Sequence, residues 1–296
     1  MNIPVYDGYV KLVTSMGDDN TPLIAARMST SNPTGINLKA DDNLRERLLY
    51  DLHTSAFQGI VITIEMELPL ASLRQIERHR TLLGCSMEIV EIDDEWRKFQ
   101  NRNEFSGRYS QMTNKYYIPD VDRIEMQSSI NKQGGEDSFS TEKKQGIVTK
   151  MKGVFDFLRG AYDEFIADKL SNEVSRFILP GAQYVRAQYT ADILNWAKML
   201  GLRLKKDVQP ETRKYCEAIA TILQSIVPKT FAGMEEHIIW AEKLSKSEFA
   251  LVSRLLKSYI DFLGEDRTYY SLKDDIEKTL GERGAKRFIK KLGIDP

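Results

Sequence analysis

Ile60-Val61-Ile62-Thr63-Ile64-Glu65-Met66-Glu67-Leu68 alternates from end to end. Ile60, Ile62, Ile64, Met66 and Leu68 fall on one face, and Val61, Thr63, Glu65 and Glu67 on the other. A period of two over nine residues predicts a half-buried strand of an antiparallel sheet. Upstream, Leu44, Leu48, Leu49 and Leu52 share one side of a helix predicted to start near Asp41 or Asp42, which brings His53 to its end. Downstream, Pro69 opens a segment in which Leu73, Ile76 and Arg80 recur at helical spacing, leaving Gln75, Arg78 and His79 on another side. Further helices are predicted from Ile147 through Met151, Val154, Phe155, Leu158, Tyr162 and Phe165, from about 210 to 227, and over 246–263 and 273–292. The second of these turns Tyr215, Ile219, Ile222, Leu223 and Ile226 inward. The polar, glycine-containing run from about 125 to 146 reads as a mobile surface loop. One sheet with segregated helices is an α+β design.

Composition narrows the partners. The 296 residues carry 42 basic and 43 acidic side chains, so nothing suggests a chain that coats a nucleic acid polymer. A mononucleotide needs only a local cluster of arginines. No apolar run reaches the length that crosses a membrane, and the first residues lack the basic and apolar regions of a signal peptide. Two cysteines, Cys85 and Cys216, make no disulfide framework. A cytoplasmic protein is the expectation. Cys216 lies on an apolar helix face and reads as core. No His, Cys, Asp and Glu set has metal-ligand spacing, so no metal is expected.

Two short runs are poor core material and good anion-binding material: Arg78-His79-Arg80, and Asn103-Glu104-Phe105-Ser106-Gly107-Arg108-Tyr109-Ser110. Guanidiniums are planar, always charged and able to grip phosphate through two bonds. Gly107 lets the backbone come close to a ligand, and Ser106 supplies a short donor and acceptor. A lone arginine is more often a solvated surface charge, a lone histidine a structural residue, and a serine such as Ser106 also caps turns.

Together these runs resemble the signature of the flavin-dependent thymidylate synthases, an RHR triplet followed by NE-x-S-x-RYS. The resemblance extends from about residue 8 to 235. It includes MGDDNTPLIAARMS, where a strand leads into a short helix, His53-Thr54-Ser55-Ala56-Phe57-Gln58, SRFILPGAQY, LNWAKMLGLRL and, as a late helix terminus, VPKTF at 227 to 231. It implies that family's fold, an antiparallel sheet with segregated helices, over 1–235, with insertions near 82–101 and 125–146. Residues 236–296 would add a helical C-terminal extension.

The activity implied is reductive C5 methylation of dUMP to dTMP. Methylenetetrahydrofolate would give the carbon, and NADPH the hydride through bound FAD. Arg203 would meet the uracil carbonyls and favour an enolate-like ring, while Ser106, with no histidine adjacent in sequence, would position the substrate. Arg108, with Ser106 and Gly107, would meet the phosphate. Arg176 would reach phosphate or ring, Gln75 and Glu104 the sugar side, and Arg78 would join the nucleotide contacts. Ser29, His53, Ser55, Arg78, His79, Arg80, Asn103, Glu104, Asp192 and Leu202 match positions around the flavin. The resemblance also implies a homotetramer with shared active sites.

The chain departs from the pattern in two ways. Residues 81 to 102 stand where the family has a short spacer, and a lid, an intersubunit contact and a passive excursion all suit that position. Gln58, Asp192, Lys198 and Asp207 differ from the usual flavin-side residues. Three readings therefore stand: the dUMP methylase, a C5 methylase or hydroxymethylase of UMP or dCMP, and a non-catalytic nucleotide-binding paralogue.

Overall fold

The computed structural model describes residues 1–28, 38–79, 82, 89–92, 95–98, 102–129, 134–136, 139–263 and 265–292. Ser29, Arg80 and Cys85 lie outside them. The strands are β1 (Asn2–Val5), β2 (Gly8–Met16), β3 (Val61–Pro69), β4 (Ile89–Ile92), β5 (Glu95–Lys98), β6 (Arg102–Glu104), β7 (Met126–Gln127), β8 (Gly135–Glu136) and β9 (Tyr184–Asp192). The first helices are α1 (Thr21–Arg27), α2 (Leu38–Tyr50), α3 (Leu70–Ile76), α4 (Thr141–Ala167) and α5 (Asn172–Ser175). They are followed by α6 (Ile193–Arg203), α7 (Pro210–Ile226), α8 (Pro228–Met234), α9 (Lys246–Leu263) and α10 (Glu265–Leu292). The contacts divide the chain into two units, Met1–Ala241 and Glu242–Pro296. The first extends beyond the expected boundary at 235 because Glu235–Ile239 continues α8 as a π-helical turn, with Ile239 buried.

Antiparallel pairing joins β1-β2-β3-β9-β6 into one sheet, with β3 at its centre. Ile62, Ile64, Met66 and Leu68 are fully buried, as the alternation predicts. The other face of β3 is more covered than a half-buried strand would be, because its polar residues find partners on the neighbouring strands and on the segment after β6. Thr63 Oγ1 lies 2.9 Å from Thr190 Oγ1, the Tyr9 hydroxyl donates to Glu65 at 2.8 Å, and Lys115 Nζ donates to Glu67 at 2.8 Å. Gly8 permits this packing: a Cβ there would stand 1.9 Å from the Glu67 carbonyl oxygen.

The core joins this sheet to α6 and α7, where Trp196, Met199, Tyr215, Cys216, Ile219 and Ile222 are fully buried. The two large amphipathic rings find acceptors for their polar ends: Trp196 Nε1 donates to Ile62 O at 3.1 Å and the Tyr215 hydroxyl to Val5 O at 3.1 Å.

Several expectations shift. Helix α2 starts at Leu38 and ends at Tyr50, so His53 follows the helix; its N–H bonds Leu48 O at 2.8 Å after Leu52 takes a φ of 55°. The run expected as a mobile loop is partly ordered: β7 pairs with β8, and α4 begins at Thr141, with the Ser140 hydroxyl accepting from Lys143 N. The apolar stripe of α4 is only partly covered: Tyr162 is buried, whereas Val154 is exposed. VPKTF is a junction, since Val227 closes α7 and Pro228, which needs no N–H acceptor, starts α8. Within the insertion, β4 and β5 form an antiparallel pair. In the second unit, Phe249, Val252, Leu256 and Ile276 pack against Ile289 and Leu292, and Gly281, at φ 68°, breaks α10. Among the described residues no helix is long and apolar enough to cross a membrane.

Candidate active site

The insertion separates the two signature runs in sequence, and Arg102 joins them in space. From β6 its guanidinium pairs with Glu77, which precedes Arg78, and with Glu104. The Tyr189 hydroxyl also donates to Glu77, at 3.1 Å; burial first, then the Glu77 charge, pushes that phenol above its ordinary range. The pairing of β6 with β9 sets this geometry, with Asn103 opposite Gln188 and Glu104 opposite Ala187. Asn103 and Glu104 line a small cavity of about 220 Å³ with Glu65, Phe105 and Arg186.

A larger cavity of about 780 Å³ opens where α3 and α6 end. Gln75, Arg78, Leu202, Arg203 and Asp207 all line it, so four residues expected at the nucleotide or flavin come together, beside the Asp207 noted as a departure. Gln75 lies on α3; Arg78 follows that helix in a turn closed by His79 N–H to Ile76 O at 3.0 Å. Arg203 ends α6, and its Nε is buried with no hydrogen-bond partner among the described residues. A donor in that state awaits an acceptor. The Arg203 and Lys198 charges act on His79: burial, then Arg203, then Lys198, pull its imidazole below the ordinary histidine range.

Ser106, Gly107, Arg108 and Arg176 form a second group, none of which lines the larger cavity. Gly107 is buried; a Cβ there would stand 2.7 Å from Met112 Sδ and 3.2 Å from Arg176 Cδ, so the close approach it permits is to the Arg176 stem. Ser106 Oγ accepts from Arg108 N at 3.3 Å. Arg108 is exposed and meets Glu173 only in a 3.5 Å surface pair, which leaves it available to a stronger anion. The following segment is pinned: Met112 N donates to the Tyr162 hydroxyl at 3.0 Å, and Gln183 Nε2 to Thr113 O at 2.7 Å.

Other expected residues lie elsewhere. His53, just before the turn Thr54–Phe57, and Ser55 within it are exposed and line neither cavity. Asp192 caps α6, accepting from Asn195 N at 2.8 Å and Asn195 Nδ2 at 2.7 Å, so its carboxylate is already engaged. The sequence reading missed Arg123, Glu125, Gly134, Gly135, Lys206, Val208, Gln209 and Pro210, which complete the large cavity. Gln209 pairs with Gln75. The only local signal was a charge on each side of Ile124 within a polar run.

Comparison with known proteins gives the family. The family described as "Thymidylate synthase complementing protein" matches residues 11–229. The flavin-dependent thymidylate synthase of Thermus thermophilus is 32% identical over 257 residues, 86% of this chain and 86% of that protein. That of Ehrlichia ruminantium (strain Gardel) is 31% identical over 249 residues, 84% and 77% of the two chains. The UMP/dUMP methylase PolB from Streptomyces cacaoi, solved with 5-Br UMP, superposes with a TM-score of 0.65 at 21% identity, covering 81% of this chain and 98% of that one. At that identity the likeness carries the fold. The chain belongs to the flavin-dependent thymidylate synthase family, a family of methyltransferase enzymes.

Proposed function

We propose that this protein methylates the C5 position of dUMP, giving dTMP, with FAD bound and with methylenetetrahydrofolate and NADPH as co-substrates. The single observation that carries the reading is that Arg203, whose buried Nε has no hydrogen-bond partner among the described residues, lines one cavity with Gln75 and Arg78. Arg203 is suited to a pyrimidine carbonyl, Gln75 to the sugar and Arg78 to the anionic edge of nucleotide or flavin. His79, held neutral, can donate or accept one hydrogen bond without adding charge. These donors fit an anionic, flat cofactor; FAD, when bound, would relay the NADPH hydride to the one-carbon unit. Arg203 would stabilise charge on the ring oxygen as C5 becomes nucleophilic.

The Ser106–Arg108 loop and Arg176 are suited to phosphate but stand apart from the cavity. Tyr109 and Phe177, beside those arginines, are 83% and 78% exposed. On α4, Phe157 is exposed, and no side chain lies within 4 Å of where a Cβ on Gly146, Gly153 or Gly160 would stand. Such apolar exposure supports self-association, a homotetramer in which one subunit's loop completes another's cavity.

A second reading, UMP as substrate, is favoured by the name of the superposed methylase, which includes both nucleotides. The purified holoprotein should be yellow. Incubation with dUMP, UMP or dCMP, methylenetetrahydrofolate and NADPH, followed by mass analysis of the base, decides among them: a dUMP gain of one methyl is expected. A hydroxymethyl product or turnover of only UMP or dCMP would replace the reading, and a colourless protein inert to all three nucleotides would refute it.

A further inference from the structure

The wall of the large cavity that the family signature leaves unassigned is built from Arg123, which ends the short helical turn Val121–Arg123, from Glu125 two residues on, and from Gly134 and Gly135 at the start of β8. Arg123 is held from behind. Its Nε donates to Glu211 Oε1 at 3.0 Å, and the Tyr117 hydroxyl donates to the same oxygen at 2.9 Å. Glu211 is buried. Burial pushes its carboxyl up, but its backbone hydrogen bond, Tyr117 and Arg123 outweigh this and hold it below the ordinary carboxylate range, so it is ionised. Arg123 Nη1 meets Glu125 Oε2 at 3.3 Å, with both side chains about a third exposed. Nη2 makes no hydrogen bond among the described residues. Gly135 makes room for Glu125, since a Cβ there would lie 2.2 Å from Glu125 Oε2.

Arg203 and Gln75 both line this cavity, and Gln75 bonds Gln209. Two residues after Gln209, on α7, Glu211 grips Arg123. If Arg203 takes the base and Gln75 the sugar, Arg123 stands at the next position, where a 5′-phosphate would extend. We infer that Arg123 is a further phosphate-binding residue for the nucleotide, oriented by Glu211, and that Glu125 competes with the phosphate for its guanidinium. This rests on the nucleotide reading above. A phosphate dianion has three terminal oxygens, enough for Arg123 on one side and the Ser106–Arg108 loop on another.

The test titrates the FAD-loaded full-length protein with dUMP and with deoxyuridine. Arg123→Gln should weaken dUMP about tenfold or more and leave deoxyuridine unchanged, since only the phosphate contact is lost. Arg123→Lys should recover part of the loss. Glu125→Gln should bind dUMP about two- to fivefold tighter, because a competing anion is gone. Equal weakening of dUMP and deoxyuridine in Arg123→Gln would make Arg123 a structural residue and overturn the inference. Should Arg123→Gln fail to fold or deoxyuridine fail to saturate, Glu125→Gln decides alone, and unchanged or weaker dUMP binding overturns it. A wild-type protein that binds no pyrimidine nucleotide at all would instead overturn the functional reading on which this one stands.

Discussion

Arg203 and His79 are read best together. Arg203 keeps a buried donor without an acceptor among the described residues, and its charge, after burial, lowers the pKa of His79. Arg203→Lys should keep charge but lose the planar fork, so turnover of dUMP should fall more steeply than its affinity, by about 3 kcal/mol of transition-state stabilisation. Flavin content and NADPH-driven flavin reduction without nucleotide should remain near wild type; loss of flavin with nucleotide affinity intact would move Arg203 to the cofactor side. His79 offers a separate measurement. Its midpoint, followed by NMR, should lie below 6.5, and Arg203→Gln should raise it by removing a neighbouring positive charge. Because the folded imidazole binds its proton more weakly than the unfolded one, His79 makes the fold less stable as pH falls through 6.5. That loss levels off below its folded pKa. A midpoint unmoved in Arg203→Gln would show that burial alone sets it.

At the scale of elements, Asp192 decides between two roles. Its carboxylate caps α6, the helix that ends in Arg203. Asp192→Ala should lower stability to denaturant by about 1 kcal/mol, whereas Asp192→Asn, which can still accept at the cap, should change little. Flavin absorbance should survive both; loss in Asp192→Asn would restore it to the cofactor contacts that the resemblance implied. The same helix shows what sequence can disclose. Strand β3 and helix α7 announce themselves through their own periods, and their inward faces are the buried ones. The end of α6 was legible because a family motif marks it. The far wall was not, because β7 and β8 are two residues each and carry no period. Arg123 is fixed by a carboxylate 88 positions away, a contact that no local pattern encodes. The bridge across the insertion was equally hidden: Arg102 reads as one more charge until β6 is docked on β9 beside Glu77.

For the whole molecule, the separation of the two cation groups makes assembly testable. Gln75, Arg78 and Arg203 share a cavity, while Arg108 and Arg176 stand with exposed Tyr109 and Phe177 elsewhere on the same unit. If each site takes its cavity from one subunit and its phosphate loop from another, single defects should complement. Arg108→Ala and Arg203→Ala proteins should each be nearly inactive alone, since each loses a charged contact in every site. After mixing and subunit exchange, a cavity from the Arg108→Ala chain can meet a loop from the Arg203→Ala chain, and that site has both arginines. Random pairing makes about one site in four intact, so activity should return to about a quarter of wild type. Phe157→Asp, on the exposed side of α4, should impair exchange and lower the assembly size by light scattering, because it places a charge in the proposed apolar contact. No recovery on mixing, with exchange verified by mass-tagged subunits, would mean that each chain closes its own site and that Arg108 reaches the cavity without a partner. Recovery together with an unchanged assembly in Phe157→Asp would keep the shared site and move the interface off α4.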